Sequence, residues 1–567
     1  MQEPTNPEHA RLLHQTFRLQ REASKEFHYA LRCAKEAVAR NQIDLAMHWC
    51  RYGATLAGVS NPGFFYSHEM EELLADIGRK NLTSTHRKPD VARRPERFLH
   101  VLTVAYERGG HTRAVSRWID ICATYAASER HSILISMQEE LPVPTWLRDS
   151  ARRGGGELIA LSTETSWLQR AAEMRSRALE YDAVVLHTHP GDLLPNIAFY
   201  DRPVPILIFN HADHMFSLGT DVADAIADIR PVGHDLSMRF RSPAPKKFLL
   251  PLPLSDQEYP RSDKADARRR LGIPADALVV LTIGAEHFKF SSVLGYSFPA
   301  MVQAICAANS RVLLVAIGLS ESEPYPDLKR MTNGQFMPVG FINNPDIVEL
   351  YYRTADIYLD SFPCTSLTAV MDAARHGLPV QRLCSPYQPL MWCDDPGLDS
   401  VTCGATTQDE FVAGVIEWLR WPDEKRVELG NRLRAAVLRD HCGESWKSKW
   451  LDPVINALRL PRDAPQPSEP KCPQRDQFSF VGLGRASWVA DWPAGMFVAG
   501  SILALGDLPR VIRFSGILHS IKPLLFDPAG EHRARKRIGM FRRLVASIEL
   551  RDIFAALRTM PRSIFRR

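Results

Sequence analysis

The run Tyr358-Leu359-Asp360-Ser361-Phe362-Pro363-Cys364-Thr365-Ser366-Leu367-Thr368-Ala369-Val370-Met371-Asp372-Ala373-Ala374-Arg375-His376-Gly377-Leu378-Pro379-Val380 changes texture three times. An apolar strand ends in a small polar loop, a helix with an acid follows, and Gly-x-Pro-Val opens a second strand. A strand, loop, helix and strand in that order predict a parallel sheet covered by helices. Upstream, Leu278 to Ile283, Val312 to Ile317, Phe336 to Val339 and Ile357 to Leu359 supply further short apolar runs. Runs without polar alternation are what strands buried on both faces require. An earlier set has the same character: Phe98 to Ala105, Ile133 to Met137, Leu158 to Leu161, Ala183 to Leu186 and Ile206 to Phe209. The two sets predict two doubly wound α/β domains in series, residues 96–255 and 256–460.

Residues 1–95 read as α-helical. Phe27, Ala30, Leu31, Ala34 and Ala37 recur at helical spacing, Asn41-Gln42 interrupts them, and Ile43, Ala46, Met47 and Trp49 begin a new stripe. A helix hairpin packed on the next domain is expected. Pro461 to Gln474 holds five prolines in fourteen residues and reads as a stiff linker. Residues 475–567 form a basic extension in which Ile538, Phe541, Leu544, Val545 and Ile548 lie among arginines at roughly helical spacing.

With 567 residues, 45% hydrophobic and 24% charged, the chain is long enough for several cores and too ordinary in usage for a disordered or fibrous protein. Its net charge of +5 is misleading, because Pro509 to Arg567 has fourteen basic and four acidic residues, a net of +10, leaving about −5 elsewhere. No stripe of basic and aromatic residues marks the body as a nucleic-acid binder. The ten cysteines show no C-x-x-C pair, so reduced thiols in a cytoplasmic protein are expected rather than a disulfide framework or zinc ribbon. Met1 is not followed by a basic and then apolar leader, and export is not expected.

In doubly wound sheets, ligands bind beyond the carboxyl ends of the strands. After the first strand comes Glu107-Arg108-Gly109-Gly110-His111-Thr112-Arg113, opening a helix. The glycines Gly109 and Gly110 allow a ligand to approach backbone N–H groups, and the helix N-terminus with His111 favours a phosphate or sugar. His187-Thr188-His189 and Asn210-His211-Ala212-Asp213-His214 also follow strand ends. His187 and His189 read as satisfied, partly buried imidazoles. His211 reads as a group that bonds a substrate or moves its proton. No Glu or Cys at ligand spacing accompanies these histidines, so no metal is expected. In the second domain, Gly284-Ala285-Glu286-His287-Phe288-Lys289 places a lysine soon after the first strand, where it can neutralise a diphosphate. Thr365, Ser366 and Thr368 can hold phosphate oxygens, and Asp372 can accept two ribose hydroxyls.

Together these residues resemble the nucleotide-sugar site of GT-B glycosyltransferases, with two facing Rossmann-like domains. Asp372 matches the second acid of the motif preceding Ala-x-x-x-Gly-x-Pro-Val in the retaining, sucrose synthase-like family. Glu286-x-x-Lys289 and Thr368-x-x-Met371-Asp372-Ala373 are closer to the inverting O-GlcNAc transferase-like group, which includes bacterial cytoplasmic protein glycosyltransferases with a helical front domain. The resemblance covers about residues 98 to 460, and Trp446, Trp450 and Val454 to Leu458 fit this fold's final helix, which crosses back onto the first domain. It implies a nucleotide-sugar donor, UDP-linked, gripped by Glu286, Lys289, Thr365, Ser366, Thr368 and Asp372, with the base near Gly340-Phe341-Ile342. It implies His211 and Lys289 as catalytic groups, an acceptor near Gly109, Gly110 and His111, and no metal or other cofactor. The acceptor would be a hydroxyl or amide on a glycan, a lipid-linked glycan or a protein.

Two other readings stay open. Cys364, Leu367 and Ala369 stand at positions that are polar in those families, which suits a catalytically inactive scaffold. A nucleotide-sugar epimerase would use a similar cleft without an acceptor. The basic extension suits peripheral attachment to an anionic membrane face.

Overall fold

The structure, a computed structural model, describes residues 7–60, 62–84, 93–107, 109–138, 141–255, 264–284, 289–293, 295–322, 324–385 and 391–460. The proline-rich linker, the basic extension and Glu286 lie outside the described residues. Among the described residues no helix is long and apolar enough to cross a membrane.

Three helices open the chain, Pro7–Ala39, Ile43–Ser60 and His68–Asn81. The break between the first two falls at Asn41, whose positive φ of 58° ends the helix in the left-handed region that asparagine tolerates. The stripe Phe27, Ala30, Leu31, Ala34 and Ala37 is fully buried with Ala46, Met47 and Trp49. These side chains join Leu99, Val101, Leu134 and Val184 of the first sheet in one apolar cluster. The helices therefore form one cover of that sheet. Glu71 fastens them: its carboxylate accepts hydrogen bonds from Asn196 Nδ2 (3.0 Å), Thr220 Oγ1 (3.0 Å) and Asp221 N (2.6 Å).

The first domain is a seven-stranded sheet. Its strands are β1 (Arg97–Leu102), β2 (Arg130–Ile135), β3 (Gly155–Ala160), β4 (Ala183–His187), β5 (Ile206–Asn210), β6 (Ala225–Asp228) and β7 (Lys246–Leu249). They run parallel in the order β3-β2-β1-β4-β5-β6-β7. β6 and β7 are not foreseen from the sequence. Each has only four residues, β6 ends in an acid and β7 begins with two lysines, so neither makes an apolar run. Asp228 is tolerated inside because Asn210 Nδ2 (2.7 Å) and Ser237 Oγ (2.8 Å) donate to it.

The second domain contains β8 (Leu278–Ile283), a small hairpin of β9 (Ser292–Val293) and β10 (Tyr296–Ser297), then β11 (Val312–Ile317), β12 (Phe336–Pro338), β13 (Ile357–Leu359) and β14 (Val380–Gln381). Its main sheet is parallel, in the order β12-β11-β8-β13-β14. Both sheets are doubly wound, since the chain reverses its direction of travel beside β1 and again beside β8.

The final helical segments, Gly443–Trp446, Lys447–Leu451 and Asp452–Ala457, return to the first domain. Trp446, Leu451, Val454, Ile455 and Leu458 pack with Phe98, Trp118, Val185 and Phe209. The buried Trp446 ring donates its Nε1–H to Pro251 O at 2.7 Å. Burying an indole of at least ~150 Å² at ~25 cal/mol per Å² contributes roughly 4 kcal/mol.

Candidate active site

The carboxyl ends of β1, β5 and β6 face the loops after β8 and β13 across a cavity of about 360 Å³. Gly109 begins the first-domain wall with φ +129°, a conformation that would strain a side chain, and its neighbour starts the helix Gly110–Tyr125. A Cβ on Gly110 would collide with Thr368 Oγ1 from the facing domain. The pair of glycines thus serves both the turn and the approach of the two walls.

His111 donates Nε2–H to the carbonyl of His187 at 2.6 Å, which leaves Nδ1 as an acceptor; that atom is buried without a hydrogen-bond partner. Burial, with repulsion from His189, lowers the His111 pKa to about 4. His211 bonds through Nε2 to His187 Nδ1 at 3.1 Å. Burial and the neighbouring His111 and His189 hold His211 well below the usual imidazole range. Both rings are neutral at pH 7. Asp213 beside them is fully engaged, accepting from Arg230 Nε (2.7 Å) and Nη2 (2.9 Å). Burial opposes its charge, but the guanidinium holds its carboxyl below the usual range.

On the second-domain wall, Lys289 Nζ donates to Thr365 O (2.9 Å) and Ser366 Oγ (2.8 Å). The loop is held from beneath: Ser366 N donates to Asp360 Oδ1 (2.8 Å), and Ser361 Oγ bonds Ser366 Oγ (2.8 Å). Asp360 is buried, which raises its pKa, while Lys289 pulls the other way. The helix Leu367–Arg375 starts at this loop and its first turn lines the cavity. A lysine, hydroxyls and two helix N-termini facing one space form a receptor for an anion.

The walls also touch outside the cavity. Arg117 of the helix Gly110–Tyr125 reaches Asp372 Oδ1 (3.2 Å) and Oδ2 (3.3 Å). Asp394 Oδ2 accepts from Val232 N at 2.7 Å, and Arg230 Nη1 donates to Trp392 O.

Of the residues expected from sequence, Gly110, His111, His211, Lys289, Thr365, Ser366 and Thr368 line the same cavity. Gly109 lies just behind it at the helix start. Asp372 stands one turn further along its helix, held by Arg117. Gly340, Phe341 and Ile342 are not among the lining residues; Gly340 N bonds Leu319 O (2.7 Å) and Phe341 is 56% exposed. His187 is fully buried. Sequence reasoning missed Asp213 and Arg230 as lining groups. Asp213 sat inside the polar run around His211, a usable signal, whereas Arg230 follows the unforeseen strand β6.

No family model matches the chain, and no curated protein matches it. Solved structures to which the chain is similar include an O-GlcNAc transferase mutant from Thermobaculum terrenum, 16% identical, with a TM-score of 0.46 over 77% of this chain and 82% of that one. HepE from Anabaena, solved with UDP and glucose, is 13% identical, with a TM-score of 0.47 over 63% of this chain and 98% of its own. A glycosyltransferase from Rickettsia africae is 11% identical, with a TM-score of 0.48 over 64% and 98%. Two facing parallel-sheet domains, a ligand-sized cleft between strand ends and a last helix returning to the first domain make this a GT-B fold.

Proposed function

We propose that the chain is a glycosyltransferase that takes a sugar from a nucleotide donor, UDP-linked, and passes it to a hydroxyl or amide acceptor on a glycan, lipid-linked glycan or protein. The observation that carries this reading is the meeting of Lys289 and the Thr365–Ser366–Thr368 loop with His111 and His211 in one cavity. The donor diphosphate would sit against Lys289, the loop hydroxyls and the start of the helix Leu367–Arg375. Charge grows on that diphosphate as the glycosidic bond breaks, and a preplaced ammonium offsets it without reorganising solvent. His211 would take the acceptor proton, and the neutral His111 would orient the sugar or acceptor through Nδ1. No metal is needed for this chemistry. For Asp372 to hold the ribose, its bridge to Arg117 must open as the nucleotide enters, and the base would lie toward Gly340, Phe341 and Ile342.

Incubation with a panel of nucleotide sugars and mass spectrometry of the products tests the reading. Release of UDP and a glycosylated acceptor is expected; an epimerised donor would instead mark an epimerase, and absence of binding a scaffold. Lys289→Ala should lower kcat about 10²-fold, the worth of about 3 kcal/mol of transition-state stabilisation, while leaving the melting temperature near the parent's. Near-normal turnover in that variant would remove Lys289 from the mechanism.

A further inference from the structure

Behind the cavity, four imidazoles form a continuous chain across the first sheet. His211 Nε2 meets His187 Nδ1 at 3.1 Å, His187 Nε2 meets His100 Nδ1 at 2.9 Å, and His100 Nε2 meets His131 Nδ1 at 2.9 Å. His131 Nε2 then lies 3.4 Å from Glu129 Oε2, an ion-pair distance whose alignment falls short of a hydrogen bond. Every ring presents Nδ1 toward the cavity and Nε2 toward Glu129, so the chain has one polarity.

The fold explains the alignment. His131, His100 and His187 sit on β2, β1 and β4, neighbours in the sheet, and His211 follows β5, the next strand. His131 pairs in register with Phe98, and His187 with Leu102, each two residues from His100. Period two puts all three rings on one face. Phe98 stacks on His131 with centroids 5.0 Å apart, while Trp118 stands edge-on to His100 (5.4 Å) and His187 (5.8 Å). His100, His131 and His187 are essentially unexposed, so water does not interrupt the chain.

A neutral imidazole donates through one nitrogen and accepts through the other, so fixing one end of a chain fixes all of it. Glu129 can only accept, and a lone pair on His131 Nε2 facing that carboxylate would be repelled. His131 therefore carries its proton on Nε2. His100, His187 and His211 must follow, which leaves the lone pair of His211 on Nδ1, the nitrogen not bonded to His187. Glu129 is held as a carboxylate by Arg94 Nη2 (2.9 Å) and Lys447 Nζ (3.6 Å), with Asp452 accepting from both cations. Cys122 lies within ligand distance of Glu129 and His131, but two cations already on the carboxylate disfavour a metal there.

We propose that Glu129, acting through His131, His100 and His187, sets the tautomer of His211 so that Nδ1 is an unprotonated base, and that the chain carries the captured proton away from the cavity. The catalytic part rests on the transferase reading. As the acceptor O–H breaks, its proton binds His211 Nδ1, and the freed oxygen pair forms the bond to the sugar carbon. The diphosphate leaves with the old bond's electron pair. His211 passes its Nε2 proton to His187 Nδ1, His187 to His100, and His100 to His131, which becomes an imidazolium paired with Glu129. After product release the proton returns by the same route and leaves through the open cleft. Of the other groups facing His211, Asp213 is neutralised by Arg230, while His111, bonded to the His187 carbonyl through Nε2, offers the lone pair of Nδ1 to the sugar or acceptor and is not linked to the chain through a ring nitrogen.

Glu129, His131, His100 and His187 are positioning residues, and nitrogen NMR of the full chain labelled in its nineteen histidines tests them without any substrate. Single His→Gln variants assign the signals. At pH 7.5 all four rings are expected to carry the proton on Nε2. Glu129→Gln, which keeps the size of the side chain, should convert His211 to a mixture of tautomers, and His100→Leu should make the His211 signals insensitive to Glu129→Gln. A proton on His211 Nδ1 in the parent, or an unchanged His211 spectrum in Glu129→Gln, would overturn the proposal. Failure to bind any nucleotide sugar would remove the transferase reading while leaving the tautomer result standing, so the two are separable.

Discussion

Gly110 is the residue on which the two walls depend most directly. An added methyl would meet the Thr368 hydroxyl, and Thr368 lies in the first turn of the helix Leu367–Arg375, whose start is fixed by the bond from Ser366 to Asp360. Overpacking of this kind costs about 1–3 kcal/mol, and here the strain is relieved by parting the domains rather than by unfolding either. Gly110→Ala should therefore weaken nucleotide binding about tenfold in calorimetry while the unfolding midpoint stays near the parent's. Thr368→Ala in the same chain should restore part of the affinity, a coupling that a double-mutant cycle measures. Additive effects would show that the two residues do not meet. Cys364 illustrates the opposite situation. It stands at a position that is polar in the families the sequence resembles, yet it is buried and its carbonyl accepts from Ser361 Oγ at 2.6 Å, so its thiol is part of the core and not of the cavity.

At the scale of elements, most of the parallel strands were legible as apolar runs, and the break at Asn41 was legible as an interruption of a helical stripe. The strands β6 and β7 were not, because short strands closing a sheet need little apolar sequence when neighbours satisfy their polar atoms. The loops after β1, β5, β8 and β13 were legible as sites because the topology alone brings strand ends together. The histidine chain was not: His100 sits inside a run that reads as an ordinary strand, His131 precedes the apolar run Ile133 to Met137 and so fell outside the expected strand, and only the order β2-β1-β4 aligns them. That element has a consequence for pH. Burial, with repulsion between neighbouring rings, lowers the pKa of His100, His187 and His211. An unfolded chain takes up protons below its ordinary value of about 6.5 while the native rings refuse them, so stability is present above that value and is lost as pH falls. Each ring contributes up to about 1.4 kcal/mol per pH unit, and the unfolding free energy from urea titration should drop between pH 6.5 and 5.5 by an amount on the order of 3 kcal/mol. A flat profile there would mean that the rings are charged in the native state.

At the scale of the molecule, Arg230 joins the halves. Its guanidinium neutralises Asp213 in the first domain and donates to the Trp392 carbonyl in the second. Removing one partner of a buried pair leaves an uncompensated charge and costs about 3–5 kcal/mol. Arg230→Met should lose that much stability in denaturant titration. Adding Asp213→Asn should recover most of it, because the stranded carboxylate is then gone; no recovery would mean that the Trp392 contact dominates. Glu71 and Trp446 act on the other side of the first domain, where the front helices and the returning helix leave that sheet covered on both faces.

The return of the last helix also settles how the halves can move. The chain leaves the first domain near Leu254 and comes back near Cys442, and those two residues lie side by side, with Leu254 N bonded to His441 O at 2.8 Å. A lobe tied by two adjacent threads is freest to swing about the line through them, like a door on a pair of hinges. Any opening that admits a substrate is thus a rotation that widens the mouth most at the edge far from residues 254 and 442, and a single proteolytic nick in either thread would leave the lobe still attached.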